Sequence, residues 1–539
     1  MMHHPRLSHA LVLAVLLVSS FSAKVVAAKT VEAARPNVVF ILTDDQHTDS
    51  FGFLGGRALT PTIDRLARSG VNFSRGYVSS SVCTPTRFSC LTGRYASRAR
   101  NVSFKRSTSE EGQTSVQWNT DILHDDWTLP RAMQQAGYVT GAVGKWHNGG
   151  GDSQNRVRRE VKLGDDPADP RVTAILREGQ EKLHAHVRAC GFDYAAAINL
   201  GNFGNHPCGK MRVHNPEWIT QGAVDFIRQN KGRPFFLYMA TTLLHGPSPL
   251  DSLKADPRIT HGGMLDAPLT VQPSREDVLK RTRAAGIHDR LAGATWLDDS
   301  VAAVLGELDR HGLAENTLVV FINDHGVDGG KGSLYEGGVR TPIIVRWPGK
   351  IDARPCDALV QNIDLAPTIL DACDVALPAK VTLDGKSLMP LLTGSVDRIH
   401  DSLYCEVGHT RAVVTPEWKY IAFRIPPSQQ LTVEQRRRIS ERYAQMKQGR
   451  ESKDFEQRPD APLSHMGFPS GQNTERVGAI KHYADVYYDR DQLFDLRTGA
   501  KEEANLAADP AYRSRLKEMK LLLIEHLKGV PGTFGEFKP

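Results

Sequence analysis

Four short apolar runs along the chain each stop abruptly at polar residues. They cover residues 38–42, 138–143, 234–240 and 317–322. Runs of this length without strict alternation are typical of strands that are buried on both faces of a parallel sheet. Segments with helical spacing lie between them, at residues 62–69, 126–136 and 219–229. The pattern predicts an α/β fold with a mostly parallel central sheet flanked by helices.

Chemically versatile side chains follow each of the four runs. In chain order they are Asp44 and Asp45, Lys145 and His147, His245, and Asp324 and His325. In open α/β sheets, ligands bind outside the carboxyl ends of the strands, where all four groups fall. We therefore expect the four groups to converge on one site.

The composition and the pattern of apolar residues change near residue 400. Beyond it lie tyrosine-rich segments at residues 418–421 and 486–488, and a helical pattern at residues 512–528 closes the chain. These features indicate a smaller α+β domain, residues 401–539, with a small antiparallel sheet and a closing helix. The larger domain then covers residues 29–400.

Two segments are candidate insertions in this predicted domain organisation. They are residues 149–169 and the charged stretch at residues 426–478. A solvated loop or surface helix is the favoured interpretation of both, and a lid or a substrate-contacting role is the alternative.

The first residues of the chain have the layout of a secretory signal peptide. Arg6 precedes the apolar run 11–18, and small residues suitable for cleavage lie at 26–28. The run is too short to anchor a protein stably in a bilayer. We therefore predict that residues 1–28 are removed and that the protein is exported, to the periplasm or outside the cell.

Charge and cysteine content limit the partners. The 539 residues carry 67 basic and 61 acidic side chains, and loss of residues 1–28 would remove only Arg6 and Lys24. This weak basic bias is compatible with an anionic substrate, and no basic block is long enough to indicate nucleic acid. The seven cysteines are an odd number for an exported chain, and six remain if one is chemically modified.

One of these cysteines lies in a distinctive motif. Residues 83–87 read Cys-Thr-Pro-Thr-Arg, and residues 91–94 read Leu-Thr-Gly-Arg. The two elements together resemble the signal of the type I sulfatase family, in the alkaline phosphatase superfamily, for oxidising the cysteine to formylglycine. A lone buried cysteine is more often inert packing, and the second element makes the motif much more specific.

The resemblance extends over most of residues 36–400 and part of the C-terminal region. Its further matches are residues 37–45, Gly-Lys-Trp-His at 144–147, Asp-His-Gly at 324–326, residues 330–342, 492–496 and 503–506. It implies an alkaline-phosphatase-like fold, hydrolysis of a sulfate ester, formylglycine at Cys83, and a formylglycine-generating or sulfatase-maturating enzyme as partner.

Three aspartates form a candidate metal site. Asp44, Asp45 and Asp324 offer the hard oxygen ligands that suit Ca²⁺, with Mg²⁺ as the alternative, and clustered carboxylates would repel one another without a cation. An isolated Asp-Asp pair is more often a turn or a helix cap. His325 departs from the asparagine of many family members, and we retain it as a ligand or close neighbour of the metal.

The nucleophile follows from the chemistry of the intermediate. A thiolate that attacked sulfur would give a covalent product that is hard to hydrolyse. The aldehyde of formylglycine at Cys83 can instead hydrate to a gem-diol, of which one oxygen binds the cation and attacks sulfur in line. Loss of the second hydroxyl proton then expels sulfate and restores the aldehyde.

Basic residues complete the expected site. Arg87 would hold the gem-diol and the carboxylates, while Lys145 and Lys331 would bind sulfate oxygens and stabilise transition-state charge. The resemblance makes His147 the partner of the gem-diol and the base for elimination. His245, with Lys331, would protonate the departing alcohol.

Other polar residues have weaker assignments. His47, Arg100, Trp118 and His206 are candidates for a substrate subsite, although surface or core roles suit them equally well. The two aspartates at residues 298–299 lie in an amphipathic helical pattern and are expected to face solvent or to make cap contacts.

Two other functions stay open. One is a formylglycine-dependent phosphodiesterase or phosphonate monoester hydrolase on the same scaffold, because sulfate and phosphate esters differ mainly in charge. The other is an inactive secreted carbohydrate-binding protein, which the complete set of chemical groups disfavours. The resemblance, the predicted export and the mild basic charge favour a sulfated carbohydrate as the substrate over a small aryl sulfate.

Overall fold

The computed structural model describes residues 35–446, 463–468, 474–498 and 502–535. Its strands are β1 (Asn37–Thr43), β2 (Val71–Phe73), β3 (Gly76–Tyr77), β4 (Val139–Lys145), β5 (Tyr194–Asn199), β6 (Phe235–Ala240), β7 (Ile259–Thr260), β8 (Gly263–Met264), β9 (Thr317–Asn323), β10 (Ile343–Arg346), β11 (Arg354–Cys356), β12 (Val360–Gln361), β13 (Leu403–Val407), β14 (Thr410–Val414), β15 (Trp418–Phe423) and β16 (Asp491–Asp495). The predicted signal peptide lies outside the described residues.

The α-helices cover the faces and ends of the sheets. They are α1 (Pro61–Arg68), α2 (Cys83–Thr92), α3 (Val102–Arg106), α4 (Leu129–Gln135), α5 (Asn155–Glu160), α6 (Pro170–Ala189), α7 (Pro216–Asn230), α8 (Pro249–Lys254), α9 (Arg275–Ala284), α10 (Ala292–Arg310), α11 (Glu336–Val339), α12 (Leu365–Ala372), α13 (Met389–Leu392), α14 (Val433–Met446), α15 (Thr474–His482) and α16 (Arg513–Lys528). Among the described helices, none has the length and apolar character needed to cross a membrane.

The central sheet has eight strands in the order β11-β2-β10-β9-β1-β6-β4-β5. The four predicted apolar runs are β1, β4, β6 and β9, and β1 pairs in parallel with both β6 and β9. The strand β10 runs antiparallel to β9 and β2. The prediction of a mostly parallel α/β sheet is therefore confirmed.

The sheet is buried on both faces, which explains the continuous apolar runs. Along β1, Val38 and Phe40 pack into one core cluster, whereas Val39 and Ile41 pack into the other, because successive side chains point to opposite faces. Residues of α2, α4, α6 and α12 complete the first cluster. Residues of α1, α7 and α10 complete the second.

Local capping sets where two predicted helices begin. The helix α4 begins at Leu129, later than its apolar pattern, because the Thr128 hydroxyl accepts a hydrogen bond from Arg131 N. The helix α7 begins at Pro216, earlier than its pattern, because the Asn215 side chain accepts one from Trp218 N. Proline in the first turn suits both helices, since its missing N–H has no partner there anyway.

Asp298 caps a neighbouring helix from within α10. It is buried, and its two carboxylate oxygens accept hydrogen bonds from Thr62 N (3.0 Å) and Ile63 N (2.7 Å) at the start of α1. Burial raises the pKa of Asp298 to about 6. Of the two expected roles, solvent exposure and cap contact, the structure shows the cap contact.

The C-terminal region contains the antiparallel sheet β13-β14-β15-β16, as predicted. The helix α16 packs Met519 and Leu523 against aromatic residues of this sheet. The segment 486–488 lies in a turn after α15 and is not a strand. The expected domain boundary at residue 400 stays a prediction.

A buried lysine joins this sheet to the central part of the chain. Lys419 Nζ on β15 lies 2.7 Å from Glu336 Oε1 and 3.0 Å from Glu502 Oε1. All three side chains are buried. Burial opposes the charge on Lys419, but the two carboxylates raise its pKa, so the ammonium stays charged.

Replacing Lys419 should therefore destabilise the protein strongly. The variant Lys419→Met removes the cation that the buried carboxylates of Glu336 and Glu502 share, and its free energy of unfolding should fall by about 3–5 kcal/mol. Urea unfolding followed by circular dichroism measures the change. The control is Lys528→Met, whose exposed ammonium pairs with Glu525 at 2.6 Å and should leave the midpoint nearly unchanged. Equal midpoints for the two variants would contradict the assigned role of Lys419.

Candidate active site

The carboxylates come from two neighbouring parallel strands. Thr43 at the end of β1 is in register with Asn323 at the end of β9, so the residues that follow leave the sheet side by side. Carboxylate oxygens of Asp44, Asp45 and Asp324 lie within 4.8 Å of one another. Asp45 has a positive φ of 53°, a left-handed conformation that aspartate tolerates better than most residues.

Cys83 is the first residue of α2 and is fully buried beside these carboxylates. Its Sγ lies 3.8 Å from Asp44 Oδ1 and 3.4 Å from His325 Nε2. Burial raises the pKa of the Cys83 thiol well above its ordinary value. The unmodified side chain is therefore a neutral thiol, which is a weak nucleophile.

Arg87 ties α2 to the ends of three strands. Its guanidinium lies 3.2 Å from Asp324 Oδ2 and 3.6 Å from Asp44 Oδ2, and Nη1 donates a hydrogen bond of 3.0 Å to Lys145 O. The side chain is fully buried. Because Nη2 faces both carboxylates and Nη1 binds the Lys145 carbonyl, the planar guanidinium joins the two carboxylates to the end of β4.

Lys145 reaches the site because a glycine precedes it. Gly144 has a φ of 88°, and a Cβ there would come within 1.9 Å of Ala240 O on the adjacent strand. The pairing of β4 with β5 shifts register at this point. The irregularity ends the strand with Lys145 Nζ 2.5 Å from Asp44 Oδ2.

His147 follows two residues later, also at a positive φ of 60°. It is held by its backbone, since His147 N donates to Leu200 O at 2.9 Å. Its Nδ1 is buried and has no hydrogen-bond partner among the described residues. Burial, helped by the positive charge of Lys145, lowers the pKa of His147 well below its ordinary value, so the ring is neutral.

The remaining basic residues surround Asp45. Lys331 Nζ lies 2.8 Å from both carboxylate oxygens of Asp45. His245 Nε2 lies 3.5 Å from Asp45 Oδ2, and His325 Nε2 lies 3.3 Å from Asp45 Oδ1. The structure thus brings all ten residues singled out in the sequence to one edge of the central sheet.

Electrostatics favour a cation in the carboxylate cluster. Burial raises the pKa of Asp45, but Lys331 and His325 outweigh it and hold the value at about 2. Burial also opposes the charge of Asp44, but Lys145 and other basic neighbours bring its pKa well below the ordinary value. Burial and the negative charge of Asp44 raise the pKa of Asp324, so its charge is not fully balanced by the protein. The oxygen donors of all three fit Ca²⁺ or Mg²⁺.

Sequence reasoning missed residues that position the site. Asn323 Oδ1 accepts hydrogen bonds from Thr43 Oγ1 (3.1 Å) and Gln46 N (3.3 Å), which locks together the two loops that carry the aspartates. The His214 ring contacts His245 O at 2.7 Å and braces that loop. Asn323 could have been noticed at its strand end, whereas the sequence carries no signal for His214.

A cavity of about 320 Å³ opens beside His147. Its lining includes Trp118 and His206, two of the four candidates for a substrate subsite. The other two lie elsewhere: Arg100 pairs with Asp125 and Asp126, and His47 pairs with Asp328. The cavity volume is in the range of small-molecule sites.

The segment at residues 149–169 forms part of the cavity wall. It contains the short helix α5, and Gly151, Gln154 and Arg158 line the cavity. The favoured interpretation of this segment, a solvated loop or surface helix, is therefore incomplete. Of the second inserted segment, only α14, α15 and nearby residues belong to the described part of the chain.

The seven cysteines are all described, and none is paired. The sequence left their pairing open. Six are buried and Cys356 is half-buried.

Comparison with known proteins gives consistent matches. The family model Sulfatase matches residues 36–375, and one described as the C-terminal part of N-sulphoglucosamine sulphohydrolase matches residues 325–430. The N-acetylgalactosamine-6-O-sulfatase of Bacteroides thetaiotaomicron is 26% identical over 456 residues, which cover 72% of this chain and 82% of that protein. Human arylsulfatase D is 27% identical over 462 residues, which cover 70% of this chain and 72% of that protein.

A solved structure from work on glycosaminoglycan metabolism by Bacteroides thetaiotaomicron has a similar fold. It gives a TM-score of 0.59 at 21% identity and covers 92% of this chain and 100% of that one. At this identity the likeness concerns the fold alone.

The carboxylate cluster predicts stabilisation by calcium. Adding Ca²⁺ to chelator-treated protein should raise the thermal unfolding midpoint, because a cation that binds only the native state stabilises it. The variant Asp45→Asn should lose most of this rise. The control is Asp328→Asn, a nearby carboxylate that pairs with His47 and should keep the rise. Differential scanning calorimetry measures both, and an undiminished response of Asp45→Asn would exclude Asp45 as a ligand.

Proposed function

The chain belongs to the sulfatase family and is a sulfuric ester hydrolase, and from this premise we propose that it removes sulfate from a carbohydrate by means of an oxidised Cys83. The observation that carries the proposal is the position of Cys83. Its Sγ lies beside Asp44 and His325, at the edge where Lys145 and Lys331 also arrive.

The cation would supply a Lewis acid, and the modified residue would supply the nucleophile. Asp44, Asp45 and Asp324, with His325 as neighbour or ligand, would hold Ca²⁺, with Mg²⁺ as the alternative; a bound cation supplies a Lewis acid beside residue 83. Formylglycine at position 83 supplies a hydrated aldehyde as the nucleophile, where the buried thiol is a weak one.

The fixed charges of the protein would hold the sulfate group. Lys145 and Lys331 each lie against a carboxylate of the cluster, so both ammonium groups border the space beside residue 83. They would bind the sulfate oxygens and stabilise the charge that develops as the sulfur–oxygen bond to the alcohol breaks. Arg87 would orient residue 83 and the carboxylates without moving a proton, since its guanidinium stays charged.

Two histidines would move protons at opposite ends of the reaction. His147 is neutral and offers an unpartnered buried Nδ1, so it can accept the proton whose loss releases the sulfate from residue 83. His245 Nε2 is buried, faces Asp45, and has no hydrogen-bond partner in the described part of the chain. From that atom it would donate a proton to the oxygen of the departing alcohol, with Lys331 nearby.

The cavity beside His147 supports a sugar as the group that carries the sulfate. It combines an aromatic side chain, Trp118, with the polar side chains of Asp121, Gln154, Asn202 and Arg158. Such a lining presents an apolar face and several donors and acceptors, which suits a ring that bears hydroxyl groups. The N-acetylgalactosamine-6-O-sulfatase among the relatives agrees with this substrate class.

Export and maturation follow from the same proposal. The signal-like residues 1–28 support a periplasmic or extracellular location. The motif at residues 83–94 supports oxidation by a formylglycine-generating or sulfatase-maturating enzyme.

Replacing Cys83 tests the nucleophile. The variant Cys83→Ala should lose hydrolysis of an aryl sulfate completely, because no other residue provides the hydrated aldehyde. Cys90→Ala, on the same helix two turns later and also buried, is the matched control and should keep its activity. Peptide mass spectrometry across residue 83 of protein from its native host should show formylglycine. Unchanged turnover by Cys83→Ala would exclude the mechanism.

The same assay separates the rival functions. We expect the aryl sulfate to be hydrolysed faster than an aryl phosphodiester under identical conditions. A preference for the phosphodiester would support the phosphodiesterase or phosphonate hydrolase alternative. An unmodified thiol with no turnover of either ester would support the inactive carbohydrate-binding protein.

Arg158 tests the carbohydrate subsite. For a sulfated oligosaccharide, Arg158→Ala should lower kcat/KM by about tenfold, the loss expected for a hydrogen bond to a charged group. The change for a small aryl sulfate should stay within about twofold, because an aryl ring lacks the hydroxyl groups with which Arg158 would form a hydrogen bond. Arg159→Ala, the exposed neighbour outside the lining, is the control. Equal losses on both substrates would remove Arg158 from the subsite.

A further inference from the structure

A second group of side chains with metal-binding atoms lies beside residues 149–150, which closely follow His147. His186 in the last turn of α6 and Cys190, the residue after its end, are four positions apart and so lie on one face of the helix. His124 arrives from the loop before α4. One donor atom from each of the three residues can be chosen so that all lie within 4.8 Å of one another.

The three side chains are close enough to converge on a small cation. His124 Nε2 lies 3.0 Å from His186 Nδ1, and Cys190 Sγ lies 3.9 Å from His186 Nε2. Zinc bonds of about 2.0–2.1 Å to nitrogen and 2.3 Å to sulfur place tetrahedral donors about 3.3–3.6 Å apart. The two observed contacts use different nitrogens of His186, so a bound cation would require the His186 ring to turn until one nitrogen faces both His124 and Cys190. One atom from each residue already lies within 4.8 Å of the other two, which leaves about 1.2 Å of closure to the tetrahedral separations.

Hydrogen bonds to backbone carbonyls hold His124 and Cys190 in place. Arg131 Nη2 donates to His124 O at 2.8 Å and to Ala189 O at 2.7 Å, which fastens the loop to the end of α6. Thr128 Oγ1 donates to Cys190 O at 2.8 Å. The donors are therefore preorganised by groups that would not themselves bind a metal.

The group is open on one side. The Cys190 side chain is buried, His186 is half-buried and His124 is exposed. His124 and His186 line a surface cavity together with Asp121, Asp152 and Lys182. Three protein donors with a solvent-facing side leave room for water or a carboxylate as a fourth ligand.

We propose that His124, His186 and Cys190 form a zinc site, separate from the carboxylate cluster. Two imidazoles and a thiolate are borderline to soft donors, which suit Zn²⁺ and not Ca²⁺. Binding converts the Cys190 thiol to a thiolate and releases its proton to solvent.

The site would brace the loop that carries His147. A Cβ on Gly150 would come within 2.8 Å of the His186 ring, and one on Gly149 within 3.4 Å. Ile122 N, in the loop before His124, donates to Asn148 O at 3.2 Å. A cation that fixes His186 and His124 therefore limits the movement of residues 148–150.

Cobalt titration of the full-length, Ca²⁺-saturated protein tests the site. Co²⁺ is the probe, because a thiolate ligand gives it a near-ultraviolet charge-transfer band. One equivalent of Co²⁺ should produce the band, and Zn²⁺ should abolish it by displacement. The band should be lost in Cys190→Ser. It should be kept in the two controls, Cys83→Ala and Cys373→Ser, each of which removes another buried thiol.

The variant His124→Ala provides a second test of the site in case Cys190→Ser folds poorly. His124 is exposed, so its removal should leave the fold intact while weakening Co²⁺ binding at least about tenfold. A band in wild-type protein that persists in Cys190→Ser, or its absence from wild-type protein, would overturn the proposal. Either result would leave the His124–His186 contact as a plain hydrogen bond.

Discussion

The rest of the structure depends on three carboxylates within 4.8 Å of one another, two of them buried and that of Asp45 half-buried. Like charges at that separation and burial are strongly unfavourable unless positive charge reaches them. The fold supplies it from three directions: Arg87 from α2, Lys145 from β4 and Lys331 from the loop after β9. The parallel pairing of β1 with β9 brings the three carboxylates together, and the basic residues of the neighbouring elements offset part of the repulsion between them. The site and the sheet are thus parts of one electrostatic arrangement.

The sequence predicted the elements whose signals are local. The apolar runs of the four central strands have the length and composition of doubly buried strands, and the polar residues at their ends mark the edge where the site lies. The motif that begins at Cys83 is contiguous, so it also could be recognised. All ten candidate residues accordingly come together in the structure.

Contacts between distant parts of the chain could not be predicted in the same way. Asp298 caps a helix whose first turn is more than 200 residues earlier, and Lys419 pairs with carboxylates from two other segments. The sequence around neither residue identifies its partners, which are determined by how the elements pack. The cavity wall formed by Arg158 was missed for the same reason, since a charged, glycine-flanked stretch is typical of a solvated loop.

The complete burial of α2 limits when the side chain at position 83 can be chemically altered. Every residue from Cys83 to Thr92 is buried, including the arginine and the threonines, so no face of this helix is open to another macromolecule. An enzyme that alters the side chain at position 83 needs this segment to be accessible, before α2 has packed into the protein. Any such alteration is therefore confined to the interval between synthesis of this segment and the docking of α2, and the rate of folding limits how many chains acquire it.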